Sequence, residues 1–440
     1  MIRAAPAGAF DFDPEEPPMH TTPPRRPVLI VLGAGDRDAQ AFILQQIATA
    51  HPVLLMDADP PAWTWPYTVA SWAIDLRDHA AVAAAVMQIA RERGVAGVMT
   101  YREHHILLAA RLAEDLGLPN ADANAMQACR DKAVMRRLLA EHHVPSARSY
   151  LVNDEHEAVD RATQLGFPVV AKPRGMPGSA GVLRADSDDD VRRAYEAAAE
   201  ATVLGPEECA VPGILLEEYL PGPELSVECL VLAPHDVRIV AITRKAPGPE
   251  PRFLAAGHAV AADEALLAAP VVLDVATRAI RAVGITLGAV QVEMRLTPRG
   301  PAVVEVNGRL GGEQIPLLVH LATGVSMPRA AAELALNRTP DLTPNRHQCA
   351  AVQYLYPAGP SRITRQQVRA HPDSWLERFV WTAPVGTSVD APAVSTADRI
   401  AHWVVTGPTA EVCDMRLLLM EDLVTVETVP AVARATARVH

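Results

Sequence analysis

Residues 291–312, QVEMRLTPRGPAVVEVNGRLGG, constrain this chain most, because they can set two carboxylates, an amide and a guanidinium on one surface. Gln291, Glu293 and Arg295 alternate with apolar residues, residues 297–300 read as a turn, and residues 302–307 as a returning strand. Strand period is two, so Glu305 and Asn307 share a face. A three-residue loop at Pro298, Arg299 and Gly300 sets Glu293 opposite Glu305 and Gln291 opposite Asn307, whereas a two-residue loop breaks that parity. Oxygen ligands from Glu293, Glu305 and Asn307, with positions left for water and phosphate, suit Mg²⁺ carried with a nucleotide better than zinc or a calcium cage. Arg309 extends a fork of donors just past that metal. The plain alternative is an amphipathic edge hairpin with solvated acids.

The 440 residues provide for two to four structural units, and 49% hydrophobic content is ample for their cores. With 52 acidic against 40 basic residues the formal charge is −12, which disfavours a general nucleic-acid or anionic-membrane surface, so any phosphate site must be locally basic. Five scattered cysteines without a CxxC pair indicate neither a disulfide framework nor a thiolate zinc site, and read as reduced thiols in a cytoplasmic protein. No apolar run reaches membrane-spanning length. Residues 1–26, rich in Pro and acids, read as a disordered tail.

Strand and helix then alternate. PVLIVLGAGD and PVLLMDAD are strands, residues 79–93 a helix, VAGVMT a strand and residues 103–116 a helix, which makes residues 27–125 a parallel α/β domain. Gly33 and Gly35 with Asp57 resemble a dinucleotide fingerprint, but Asp38 stands at the third glycine position, and packing at a tight turn is the better reading. Residues 126–336 form a second unit. In it ILLEEYL, LSVECLVL and VRIVAITRK fit one antiparallel sheet, and residues 263–283 fit a helix. Residues 337–440 read as a smaller α/β appendage with CAAVQYLYP and AHWVVTG as strands.

Lys172 precedes the glycines in KPRGMPGSAG, so this is not a Walker loop; residues 172–181, with Gly178 and Ser179 at the tip, would fold over a triphosphate as a lid. A flexible hairpin tip is the competing reading. Lys132, in an Asp-Lys pair at a helix start, and Lys245, between a strand and a Pro-rich loop, are ordinary surface lysines until context says otherwise. Glu217, Glu218, Tyr219 and Leu220, followed by a Pro-Gly-Pro turn, offer backbone groups on which an adenine could pair, with Glu224 within reach of a ribose. His258 suits either a substrate contact or a satisfied core histidine. The His104-His105 and His142-His143 pairs point apart on helices and form no metal site.

Together RDKAVM, VVAKPRGMPGSAGV, LLEEYLPGPELSVE, GAVQVEM and VVEVNGRLGG, in that order, resemble the ATP-grasp superfamily over about residues 27–440, and within it the carboxylate-amine ligases of the L-amino-acid ligase and carnosine-synthase kind. The resemblance implies an α/β ATP-grasp fold, with the N-terminal domain followed by two α+β subdomains clasping ATP. It implies that Lys132 and Lys172 contact phosphates, with Lys245 a further nucleotide contact, Glu217 to Leu220 the adenine and Glu224 the ribose. Glu293, Glu305 and Asn307 would hold two Mg²⁺ ions, with Mn²⁺ as a substitute. Arg309 would face the reacting carboxylate, beside the backbone of Gly311 and Gly312, and His258 would lie toward the substrate. The implied reaction joins a carboxylate and an amine, both small molecules of the amino-acid class, through an acyl phosphate; a homodimer stays open. Two departures stand out. Gln291 occupies a position where D-alanine ligases carry arginine, which disfavours that activity, and the segment around His258 lacks the acid and proline usual in the family. A biotin-carboxylase-like or purine-pathway enzyme and a non-catalytic nucleotide-binding module are the rival readings.

Overall fold

The structure, a computed structural model, describes residues 26–204, 209–248, 252–372, 374–389, 393 and 396–430. All but the last residue of the proposed tail at 1–26 lies outside the described residues.

Four parallel strands open the chain, in spatial order Ala70–Ala73, Val53–Asp57, Val28–Leu32 and Val95–Met99. Val28–Leu32 is buried at every position, as expected for a strand covered on both faces. The GAG segment after it is a packed turn: Ala34 N donates to Asp57 Oδ2 at 2.7 Å. Helix His79–Arg93 has the expected limits, whereas the helix expected over residues 103–116 begins with a 3₁₀ turn at Glu103–His105 before Ile106–Asp115. The chain runs from Val28–Leu32 to strands on one side and, after Ala70–Ala73, crosses back to place Val95–Met99 on the other, a switch point whose carboxyl end is a natural ligand crevice. Glu103 follows directly from it.

A second sheet is antiparallel, ordered Ser149–Val152, Ile214–Glu218, Val169–Pro173, Leu183–Ala185, and packs against helices Glu155–Leu165 and Asp188–Leu204. Ile214–Glu218 therefore does not share a sheet with the two strands after it, contrary to the sequence reading. The reason is the Leu-Pro-Gly-Pro segment that follows. Pro221 and Pro223 have no N–H for a ladder, and Gly222 at φ +120° presses so close to Leu296 that a Cβ would overlap its carbonyl oxygen. The chain swings there from one lobe into the other.

The third sheet has eight strands, ordered Gly300–Asn307, Gly288–Thr297, Glu224–Ala233, Asp236–Pro247, Ala255–Ala261, Cys349–Leu355, Ala401–Gly407 and Leu376–Trp381. The strands expected in a C-terminal appendage thus continue the sheet that carries the hairpin, with Gly257 paired to Gln353. A small sheet of Ser388–Val389, Ser361–Val368 and Val424–Pro430 lies beside it. The helix expected over residues 263–283 is interrupted: a 3₁₀ turn at Ala265–Ala268 precedes Pro270–Ala282, because Pro270 starts a helix well and cannot continue one. Val272, Val275, Ala276 and Ile280 of that helix pack on Val290, Val292 and Val306, fixing the hairpin from behind.

Candidate active site

The hairpin reaches the expected register by an unexpected route. Glu293 pairs with Glu305 and Gln291 with Asn307, yet Thr297 pairs with Gly300, leaving a two-residue loop. That loop alone gives the wrong parity. A bulge between Glu293 and Met294, where Val304 is the extra residue opposite, restores it, and Arg136 Nη2 donates to the freed Val304 carbonyl oxygen at 2.6 Å. Glu293, Glu305 and Asn307 all line a cavity of about 490 Å³ between the lobes.

Each acid meets a lysine. Lys132 Nζ lies 3.0 Å from Glu305, and Lys245 Nζ lies 3.0 Å from Glu293 and 3.1 Å from Glu224. Burial pushes the Glu305 carboxyl up, but Lys132 and Lys172 outweigh it and hold the group below its ordinary range. Burial dominates at Glu293, whose carboxyl is raised despite Lys245, with Glu305 and Glu224 adding to the shift. Burial alone would lower the Lys245 ammonium, but Glu293 and Glu224 keep it charged. Among the described residues no three His, Cys, Asp or Glu side chains cluster as a metal site. Two carboxylates and an amide on one face, with room beyond them, still fit a hard cation that completes its shell from phosphate and water.

The glycine loop hangs over this face. Lys132 Nζ donates to Met176 O at 2.9 Å, and Ser179, at φ +59°, donates from its hydroxyl to Phe253 O at 3.1 Å. Arg174 anchors the loop base through two 2.7 Å bonds to Asp131, the cap of helix Lys132–Glu141. Gly178 and Ser179 line the cavity.

Glu217 lines a smaller recess beside the cavity with the rest of its segment, and its side chain has a further part. Its carboxylate is buried between Arg136 at 2.6 Å and Lys172 at 2.7 Å, and the two cations overcome burial to hold it ionised. The Glu217 side chain is therefore a brace for Lys172. Glu218 is likewise spent on Arg148 and Arg299. Its N–H donates to Arg148 O and that of Tyr219 to Pro168 O, whereas no described residue accepts from the Leu220 N–H. Glu217, Glu218, Tyr219, Leu220 and Glu224 surround this smaller recess of about 100 Å³ with Lys172 and Val170. Glu224 also accepts from Arg295 at 3.1 Å.

At the other end Arg309 forms a partly buried ion pair with Glu103 of the N-terminal domain, across 206 residues of sequence, and its Nη1 donates to Leu310 O at 2.8 Å. Nothing near Glu103 in the sequence signals this role. Gly312 lines the cavity, and Gly311 packs against Gln291. His258 does not reach the cavity as a substrate contact; it is 2% exposed and stands behind Glu313, with Nε2 2.7 Å from Glu313 Oε2. Glu313 is the residue that sequence reasoning missed here. It faces the cavity at φ +54°, bonds Arg399, and accepts the Tyr354 hydroxyl on its carbonyl. A non-glycine residue held in the left-handed region beside a cavity is strained for a reason of packing or function.

Fold and site define a two-lobed protein with a cavity lined by lysines, carboxylates and an amide between the lobes. Residues 165–316 match the family model of the ATP-grasp domain, and residues 31–120 that of the ATP-grasp N-terminal domain. The chain belongs to the ATP-grasp superfamily. It is 29% identical over 315 residues to the uncharacterized protein y4rH of Sinorhizobium fredii, covering 69% of this chain and 62% of that protein. It is 27% identical over 319 residues to carnosine synthase 1 of Homo sapiens, covering 66% of this chain and 38% of that protein. The chain thus spans less than two thirds of these relatives' length. Among solved structures, the L-amino acid ligase from Bacillus licheniformis superposes with a TM-score of 0.76 at 20% identity, covering 92% of this chain and 99% of that one. The biotin carboxylase domain of Hydrogenobacter thermophilus 2-oxoglutarate carboxylase, solved with MgADP and bicarbonate, gives 0.67 at 16% identity, covering 91% and 90%.

Proposed function

We propose that the chain is an ATP-dependent ligase that joins a carboxylate to an amine, both of the amino-acid class, through an acyl phosphate. The observation that carries this reading is the set of groups around two adjoining cavities: Leu220, Glu224 and Lys172 at the smaller recess, Lys132, Glu293 and Glu305 lining both, and Lys245, Asn307, Arg309 and Glu103 at the larger one. A nucleotide laid from the smaller recess into the larger cavity brings its terminal phosphate to the arginine end. The similarity to carnosine synthase 1 and the fold shared with an L-amino acid ligase support the substrate class.

Glu293, Glu305 and Asn307 would hold Mg²⁺, or Mn²⁺ in its place, whose chemistry is charge neutralisation on the phosphoryl oxygens. Lys132 would add positive charge there, and Lys172 a further cation whose ammonium is lowered by burial against the pull of Glu217. A substrate carboxylate oxygen attacks the γ-phosphorus, the bond to the bridging oxygen breaks, and ADP leaves with that electron pair. The amine nitrogen then adds to the acyl carbon and gives up a proton, and phosphate departs as the amide forms. Arg309, aimed by Glu103, meets the carboxylate first and the tetrahedral oxyanion second, next to the N–H groups of Gly311 and Gly312. The loop of residues 175–181 keeps water from the acyl phosphate. Five buried free cysteines fit a reducing, cytoplasmic setting, and no described helix is long and apolar enough to cross a membrane.

The test is a screen of amino-acid pairs for ADP release with product masses, run beside bicarbonate plus biotin. Amide product from a pair supports the ligase. Turnover only with bicarbonate overturns it in favour of a carboxylase, and nucleotide binding without turnover overturns it in favour of a binding module.

A further inference from the structure

Gln291 lines the cavity floor, 2% exposed, on the strand that also carries Arg295 and Glu293. Same-face residues of a strand stand about 7 Å apart, so the order runs from Arg295 at the sugar end, through Glu293, to Gln291 on the side away from the nucleotide. The carboxamide has two unlike ends, and the residues behind it fix which one faces outward. Gln291 Nε2 donates to Ser226 Oγ and to Glu228 Oε1, each at 3.3 Å. Glu228 Oε1 also accepts from Ser226 at 2.6 Å and Thr243 at 3.0 Å, so its position is set by three donors in a fully buried network. Burial pushes the Glu228 carboxyl up, against the hydrogen bonds from Ser226, Gln291 and Thr243.

With its N–H₂ end spent on this network, Gln291 keeps its carbonyl oxygen Oε1 without a donor among the described residues, at a position that lines the cavity. Gly311 covers the pair at close range. A Cβ there would stand 2.7 Å from Gln291 Nε2 and 3.0 Å from Glu228 Oε2, and Glu228 Oε2 itself has no partner. Only a glycine leaves this arrangement undisturbed.

Resting on the ligase reading above, we propose that Gln291 is a specificity-determining residue that accepts a hydrogen bond from the N–H of the amine substrate, with Glu228 as the positioning residue that keeps the carboxamide turned this way. The charge logic agrees. Arg309 supplies the donor for the carboxylate, while a neutral acceptor two residues before Glu293 on its strand can serve an incoming N–H and leaves a second carboxylate without a partner. A guanidinium at the same position would reverse that preference.

The experiment uses Gln291→Met in the full chain, with the pair of proteinogenic amino acids that gives the fastest ADP release, and hydroxylamine as a second nucleophile. Hydroxylamine at high concentration captures the acyl phosphate without needing the amine site. The expected result is a KM for the amino-acid amine raised about tenfold or more, the size of one lost hydrogen bond, with hydroxamate formation and the ATP KM changed by clearly less than that. Glu228→Met, which touches no substrate, should raise the same KM, and Glu228→Gln, which keeps an acceptor for the carboxamide, should restore it. Unchanged amine KM in Gln291→Met overturns the inference; if that variant does not fold, unchanged amine KM in Glu228→Met overturns it instead. Absence of hydroxamate from the wild-type chain with every carboxylate overturns the ligase reading and this inference together.

Discussion

Lys132 and Glu305 form a partly buried ion pair at 3.0 Å, and the same ammonium donates to the Met176 carbonyl oxygen 2.9 Å away. One cation thus ties a proposed metal ligand to the glycine loop above it. Nucleotide binding and loop ordering should therefore be coupled through Lys132. In limited proteolysis, cutting within residues 175–181 should slow when Mg²⁺ and a non-hydrolysable ATP analogue are added, and Lys132→Met should lose most of that protection. Equal cutting of the wild-type loop with and without nucleotide would count against a lid.

Glu305→Gln keeps the shape of the hairpin and removes one charge from the proposed cation site. Mg²⁺-dependent ADP formation should fall by about two orders of magnitude or more, comparable to loss of a main electrostatic group in other active sites. The check is an ADP-release assay across a Mg²⁺ titration. A wild-type curve from this variant would remove Glu305 from the metal role.

Arg309→Lys should still bind ATP by calorimetry while amide product falls by about two to three orders of magnitude, because a point charge cannot reproduce the fork. Glu103→Gln keeps the guanidinium and weakens only its anchor, so product should fall by less than in Arg309→Lys. Product at the wild-type rate from Arg309→Lys, or failure that traces to lost ATP binding, sinks the acyl-transfer role.

Glu313 gives a stability signature. Burial alone would raise its carboxyl, but Arg399 and His258 hold it well below the ordinary carboxylate range. A folded value under the unfolded one means stabilisation that is complete above the unfolded value of about 4.3 and is lost as pH falls below it. Glu313→Gln leaves Arg399 unpaired and should cost about 3 kcal/mol near neutrality. The Tm difference from wild type should be flat above about pH 5 and narrow toward pH 3. A constant or widening gap would show that the ionised carboxylate does not stabilise the fold.

Much of the site could be read locally. Glu293, Glu305 and Asn307 share a face because strand period is fixed, and the burial of Val28–Leu32 follows from its apolar run. What escaped depends on partners far along the chain. The bulge at Val304 is held by Arg136, 168 residues away, so loop length alone misled about how the register arises. The partnership of Arg309 with Glu103 spans 206 residues and leaves no trace in spacing. Glu217 sits in a segment that reads as nucleotide-facing, yet its carboxylate turns inward to Arg136 and Lys172, a choice made by two cations on other elements. Glu313 adopts a positive φ without being glycine, which composition does not announce.

The eight-stranded sheet sets an order of events during synthesis. Ala255–Ala261, which carries His258, is flanked on one side by Asp236–Pro247 and on the other by Cys349–Leu355, which emerges much later. Until that late strand arrives, the earlier one presents a bare row of N–H and C=O groups, a template for pairing with another chain. A polypeptide ending at residue 336 would keep every proposed nucleotide and metal ligand and still expose that edge permanently. It should therefore precipitate or self-associate, so residues 337–430 cannot be treated as a removable tail to the ATP-grasp unit.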